Sequence, residues 1–204
     1  MRNLLGLQLL TARDKRIQQL KRQHRCAVHG QKVWRSASVL LDYLTEFPLS
    51  NNLRILELGA GWGLVGIYCA KNFNAQVTAL DVDPAVFPYL HLHAELNEVN
   101  ITPWIADYAA ITREQLTQFD VIIGSDICFW DEQAAQLLPL IENIQQLKRR
   151  AIIADPGRPP FIQVVETLLQ QEAANTVAVE NWSVPHPYNV NAIILDTGAP
   201  YVEL

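Results

Sequence analysis

From Leu53 onward, short apolar runs alternate with longer amphipathic ones, and this alternation limits the fold more than any other feature. Leu53 to Leu58 is a short apolar run ended by Gly59, which reads as a buried strand. Leu64 to Asn72 reads as a helix, and Gln76 to Leu80 as a second strand ending at Asp81. Asp83-Pro84 is a helix start, with Asp as N-cap and Pro at the first helical position. That helix is expected to reach about Asn97, with Pro88 parting its first turn from the rest. Further strands are expected near Ile105, over Phe119 to Gly124 and over Ala151 to Ala154, with helices over Glu132 to Leu147 and Phe161 to Gln171. Thr176 to Trp182 and Ala192 to Asp196 read as two closing strands with no helix between them. The pattern predicts the α/β class, a doubly wound parallel sheet with helices on both faces. The closing pair has too short a link for a crossover and is expected to join antiparallel.

A chain of 204 residues suits one domain. With 50% hydrophobic and 18% charged residues it can form a full core, which excludes disorder as a class. No apolar run approaches the ~18 residues of a membrane span. Cys26, Cys69 and Cys128 fall in no metal-ligand spacing and no disulfide framework, so no metal is expected and a cytoplasmic, reducing setting is.

Charge is unevenly spread. Residues 1–41 hold nine Lys/Arg against Asp14 alone, net +8, whereas 42–204 carry seven Lys/Arg and twenty Asp/Glu, net −13. A globally basic nucleic-acid binder is therefore not expected. An acidic body suits a basic substrate, or simply solubility. In the N-terminal stretch most of the charge follows the leucines Leu4 to Leu10, the reverse of a secretory signal. Leu10, Ile17 and Leu20 recur at helical spacing, so residues 1–45 are expected to be a helical cap on a compact unit of 46–204. A basic arm that steers an acidic partner is the sharper alternative.

The strongest local signal is Glu57-Leu58-Gly59-Ala60-Gly61-Trp62-Gly63-Leu64-Val65-Gly66, a glycine loop between a strand and a helix. Glycines let the backbone approach a ligand, and the helix start offers free N–H groups. Asp81, at the end of the next strand, is placed to accept both hydroxyls of a ribose. Gly61-x-Gly63-x-x-Gly66 also meets the dinucleotide spacing. Glu57 argues against that reading, because a carboxylate beside the loop repels a pyrophosphate but can hold a cationic amino group. S-adenosylmethionine carries such a group and no phosphate. Asp107-Tyr108 then offers a carboxylate for an adenine amino group and a ring to cover the base.

At these residues the sequence resembles the class I, seven-stranded S-adenosylmethionine methyltransferases, with a Rossmann-like fold, and within them the methyltransferase-like protein-lysine group. Four pieces carry the resemblance: Val33-Trp34-Arg35-Ser36-Ala37, the glycine loop, Gly124-Ser125-Asp126-Ile127-Cys128-Phe129, and Ala154-Asp155-Pro156-Gly157-Arg158. The last run and Glu95-Leu96-Asn97 look most like the branch that includes the electron-transfer-flavoprotein lysine methyltransferase. Bacterial members of the broad group often carry a nicotinamide-methyltransferase-like label.

The resemblance implies a sheet order of 3-2-1-4-5-7-6 with one antiparallel strand. It also implies a methyl-donor site lined by Trp34, Glu57, Gly59, Ala60, Gly61, Trp62, Asp81, Val82, Asp107, Tyr108 and Ser125. Lysine-modifying members carry Asp-x-x-Tyr after the fourth strand; here the run is Asp126-Ile127-Cys128-Phe129, without the hydroxyl. Asp126 is then expected to orient an incoming amine, with Phe129, Trp130 and Trp34 walling its channel. Arg158 is expected to anchor an acidic group of the substrate or to form an ion pair. The acceptor implied is a lysine of a protein. A small amine, or a binding module without catalysis, are the alternatives.

Overall fold

The computed structural model describes residues 1–26, 30, 32–171 and 177–198. Its centre is a seven-stranded sheet made of β3 (Arg54–Leu58), β4 (Gln76–Asp81), β5 (Ile101–Ile105), β6 (Val121–Ser125), β7 (Arg150–Asp155), β8 (Ala178–Val184) and β9 (Val190–Asp196). The strands lie in the order β5-β4-β3-β6-β7-β9-β8. Counted from the first sheet strand this is the expected 3-2-1-4-5-7-6. All pairings from β5 to β7 are parallel, and β9 runs antiparallel to both β7 and β8. Thr176, the expected start of the sixth sheet strand, lies outside the described residues.

Helices α2 (Arg35–Glu46), α3 (Leu64–Phe73), α4 (Phe87–Leu96), α6 (Asp131–Gln146) and α7 (Pro159–Leu169) flank the sheet, with a single turn α5 (Arg113–Leu116) before β6. Buried residues form two apolar clusters, one with α2, α3 and α4 and one with α6 and α7. The central strands β3, β6 and β7 are apolar along most of their length because both faces are covered, whereas the edge strands β5 and β8 are more exposed. Asp83 caps a short 3-10 turn at Pro84–Val86, and α4 begins at Phe87 with Pro88 in its first turn, where no N–H is required.

The N-terminal ten residues correct one expectation. In place of a helix they form a hairpin, β1 (Arg2–Leu4) and β2 (Leu7–Leu9), followed by α1 (Lys15–Gln23). The turn is Leu5-Gly6, both at positive φ, the conformation a two-residue hairpin turn requires. Alternation, not helical spacing, governs here: Leu7 and Leu9 share one buried face, while Gln8 points out.

The hairpin is fastened to α4 by polar contacts. The Asn97 side chain accepts from Gln8 N at 2.8 Å and donates to Gln8 O at 3.0 Å, completing the edge of β2 as a third strand would. His93 is buried. Its Nε2 accepts from Leu10 N at 3.3 Å and its Nδ1 lies 2.7 Å from Tyr89 O. Burial lowers its pKa, so the ring stays a neutral structural link. Asn97→Ala leaves the part-buried backbone N–H and C=O of Gln8 unpaired and should lower stability by about 1 kcal/mol. Hydrogen exchange should then accelerate first at Gln8 and Leu10.

Candidate active site

A cavity of about 400 Å³ opens at the carboxyl ends of β3, β4 and β6. This is the point where the chain reverses direction across the sheet, and open α/β sheets leave a crevice there. Every expected site residue except Arg158 lines this one cavity.

The glycine loop forms its floor. Gly59 has φ +57°, and a Cβ there would stand 2.7 Å from Ile127 Cγ2, so no other residue fits. Gly61 has φ +52° and open space where its Cβ would be. Asp81 clamps the loop: Oδ2 accepts from Gly61 N at 2.9 Å and Oδ1 from Asp83 N at 3.0 Å. Ala60 N donates to Leu80 O at 2.9 Å.

Glu57 is 4% exposed and lies against the start of α3, where the N–H groups of Val65 and Gly66 favour its charge. A Cβ on Gly66 would come 2.5 Å from Glu57 Oε2. The helix start that would hold a pyrophosphate is thus taken by a carboxylate. Oε2 has no hydrogen-bond partner among the described residues and lies against Gly66, while Glu57 as a residue lines the cavity. A buried carboxylate on a residue that lines the cavity fits a ligand with a cationic donor, as S-adenosylmethionine has.

Burial pushes Glu57 from 4.5 up to about 8. A carboxylate raised on folding gives stability that is complete below pH 4.5 and falls as pH rises to about 8. Thermal unfolding of Glu57→Gln should lack this slope. Binding of a cationic ligand should draw a proton from wild-type Glu57, seen as a buffer-dependent heat that Glu57→Gln abolishes.

The adenine side is built from β4 and β5. Val82 stands at the lip, 68% exposed. Asp107 is exposed, and its Oδ1 accepts from Ala109 N at 2.9 Å, capping a 3-10 turn. Tyr108 is buried and its hydroxyl donates to Ile127 O at 3.3 Å. Trp62 stacks against Tyr89 and His93, each at 5.2 Å, and its Nε1 donates to Gly30 O at 3.0 Å, so it ties the loop to the N-terminal segment. Asp81→Ala removes a ribose acceptor and should weaken S-adenosylhomocysteine binding by about 1.5–3 kcal/mol in a calorimetric titration. Ligand-free melting of the same variant reports the separate cost of the lost loop clamp.

At the other end lies an aromatic rim. Trp34 and Phe129 meet edge to face at 5.2 Å, and Phe129 and Trp130 are 5.6 Å apart, with Trp130 half exposed. Ser125 ends β6 beside them. Asp126 follows at φ +56°, with its carboxylate buried. Its Oδ1 accepts from Arg158 Nη2 at 2.8 Å and its Oδ2 from Ser36 N at 3.0 Å. Arg158 Nη1 also donates to Asp155 Oδ2 at 2.6 Å, and its guanidinium carbon lies 4.0 Å from the centre of the Phe129 ring. Arg158 is therefore committed to two buried carboxylates and a ring face, which removes the expected anchor for an acidic group of the substrate. Ion pairing was the other reading of Arg158, and here the pair is buried.

Sequence reasoning missed four contributors. Gly30 and Lys32 border the cavity from the N-terminal segment. Gln133 Oε1 accepts from Phe129 N at 2.7 Å, setting the aromatic rim. Ser36 N meets Asp126 because α2 begins at Trp34, which makes no side-chain cap. A helix start without its own acceptor needs one from elsewhere, and that was the available signal. Cys128 is buried and its thiol pushed up to about 11, so it holds no thiolate for nucleophilic chemistry at neutral pH.

Comparison with known proteins agrees with this geometry. A family model described as lysine methyltransferase matches residues 13–174. The electron transfer flavoprotein beta subunit lysine methyltransferase of Rattus norvegicus is 32% identical over 131 residues, 63% of this chain and 50% of that protein. Protein N-lysine methyltransferase METTL21A of Xenopus tropicalis is 34% identical over 111 residues, 52% of this chain and 51% of that one. The chain thus spans about half the length of these relatives. Among solved structures, a human methyltransferase 10 domain containing protein superposes with TM-score 0.62 at 12% identity, over 89% of this chain and 93% of that one. A methyltransferase from Pyrococcus furiosus superposes with TM-score 0.57 at 19% identity, over 93% of this chain and all of that one, which supports the fold. With its glycine loop, its sheet order and a family match over most of its length, this chain belongs to the lysine methyltransferase family.

Proposed function

We propose that this chain is an S-adenosylmethionine-dependent N-methyltransferase acting on a lysine side chain of a protein. The observation that carries the reading is the open aromatic rim of Trp34, Phe129 and Trp130 around buried Asp126. Such a rim admits a long side chain from a bulky partner and offers ring faces to its cationic end. The relatives named as protein-lysine methyltransferases support the same acceptor.

When bound, the cofactor supplies an electrophilic methyl group on a sulfonium. Glu57 would hold its amino group and Asp81 its ribose hydroxyls, and the aromatic rim would exclude water from the transfer line. The acceptor must be a neutral amine, and an ammonium loses its proton more readily in an apolar channel beside a positive charge. Asp126 keeps a free lone pair on each oxygen and orients the amine by a charge-assisted hydrogen bond. Arg158 fixes that carboxylate and reduces its pull on the ammonium form.

No described helix is long and apolar enough to cross a membrane. Three free, buried cysteines support placing the protein in a reducing, cytoplasmic setting. The test is transfer from a donor with a labelled methyl group into a cell lysate. Label in a protein band supports the reading. Label in a small molecule only points to a metabolite amine, and no label to a silent binding module, the reading that Phe129 motivates.

A further inference from the structure

The strongest feature outside the cleft is the charge of α1 and its flanks. Arg13, Lys15, Lys21, Arg22 and Arg25 are all exposed and have no acidic partner among the described residues. Only Arg16 is paired, with Asp14 at 3.0 Å. Ile17 is buried and Leu20 packs partly against the core, so the opposite surface of the helix faces solvent. Like charges at this density repel one another and carry a cost unless a partner offsets it.

Described residues after α1 reach α4 and the cleft. His24 O accepts from Tyr89 Oη at 3.0 Å, Gly30 O accepts from Trp62 Nε1 at 3.0 Å, and both Gly30 and Lys32 border the cavity. Lys32 Nζ lies 4.1 Å from the Trp34 ring centre, beside the aromatic rim. The far rim is of opposite sign, with Glu132 on the cavity wall and Asp131 next to it at the start of α6. The cavity lining is mainly acidic, with Asp81, Asp83, Asp107 and Glu132 against Lys32, so the mouth is bipolar between this anionic lining and the cationic α1.

We propose that the exposed cationic face of Arg13, Lys15, Lys21, Arg22 and Arg25, continued to the cleft by Lys32, docks an acidic segment of the substrate protein that lies near its target lysine. This rests on the protein-lysine reading above. A bipolar mouth selects a bipolar substrate: the lysine is drawn to the anionic rim and its acidic neighbours to α1. An extended nucleic acid is disfavoured, because residues 42–204 carry a net charge of −13 and would repel a phosphate backbone.

The test replaces Arg13, Lys15, Lys21, Arg22 and Arg25 together by Gln in the full chain and leaves Lys32 in place. Unchanged S-adenosylhomocysteine affinity and melting would show that the fold and the cofactor site are intact. A fluorescent oligo-glutamate peptide should bind the cofactor-loaded wild type and bind the variant about tenfold more weakly, with the difference vanishing in high salt. Labelling of lysate protein should fall about tenfold in the variant at low salt and converge at high salt. Equal peptide binding and equal labelling would overturn the proposal while leaving protein methylation standing. Tighter binding of an oligo-uridine RNA than of oligo-glutamate would also overturn it. Failure of the wild type to label any protein would remove the underlying reading, and this proposal with it.

Discussion

Arg158→Met is expected to lower the stability of the folded protein by about 3–5 kcal/mol at neutral pH. The side chains of Asp126 and Asp155 are 2% and 1% exposed, and Arg158 is the cation that pairs with both. Removing it leaves two buried carboxylates about one side-chain width apart with no countercharge. Burial already raises the Asp155 pKa, even with Arg158 present to lower it. Without the guanidinium Asp155 should titrate still further above the ordinary carboxylate range. A carboxylate raised on folding gives stability that is present at low pH and lost as pH rises through the folded value. The deficit of Arg158→Met should therefore be largest near neutral pH and shrink as the solution is acidified. Urea unfolding across that range measures it. The pair Arg158→Met with Asp126→Asn should recover part of the loss, because one of the two uncompensated charges is gone.

Asp126→Asn is expected to cut turnover about 10²-fold, the scale on which one lost orienting contact acts. The substitution keeps the shape, tolerates φ +56° and can still accept from Ser36 N, so helix α2 keeps its cap. What it loses is the charge that holds the acceptor amine. S-adenosylhomocysteine affinity should barely change, which separates acceptor positioning from cofactor binding. Undiminished turnover would remove Asp126 from the transfer step and leave it as the cap of α2 and the partner of Arg158. Phe129→Tyr probes the same wall from the other side. If the hydroxyl found in lysine-modifying relatives contributes here, lysate protein labelling should rise. If labelling stays level, Phe129 serves as a wall held against Arg158.

The sheet could be read because each strand end carries its own local signal. Gly59, Asp81 and the Asp155-Pro156-Gly157 run stop their strands in chain order, and alternation with helices fixes parallel pairing. The hairpin of residues 2–9 was misread because five leucines in ten residues satisfy a helical face as well as alternation. The positive φ values at Leu5 and Gly6 decide between them. Glu57, Asp81 and Asp126 stood out from their places after strands. Their partners did not: Ser36 and Asp126 are 90 positions apart, and Arg158 and Asp126 are 32 apart. Such pairings depend on how layers stack, which periodicity does not encode. Asn97 illustrates the same limit, since it was noticed for its resemblance and turned out to pair with β2, 89 residues away.

The account stands most directly on one calorimetric comparison, the titration of the wild-type protein with S-adenosylhomocysteine and with NAD. Glu57 against the start of α3, on the wall of the cavity, predicts saturable heat with S-adenosylhomocysteine and none with NAD. Tight binding of NAD with no response to S-adenosylhomocysteine would contradict it.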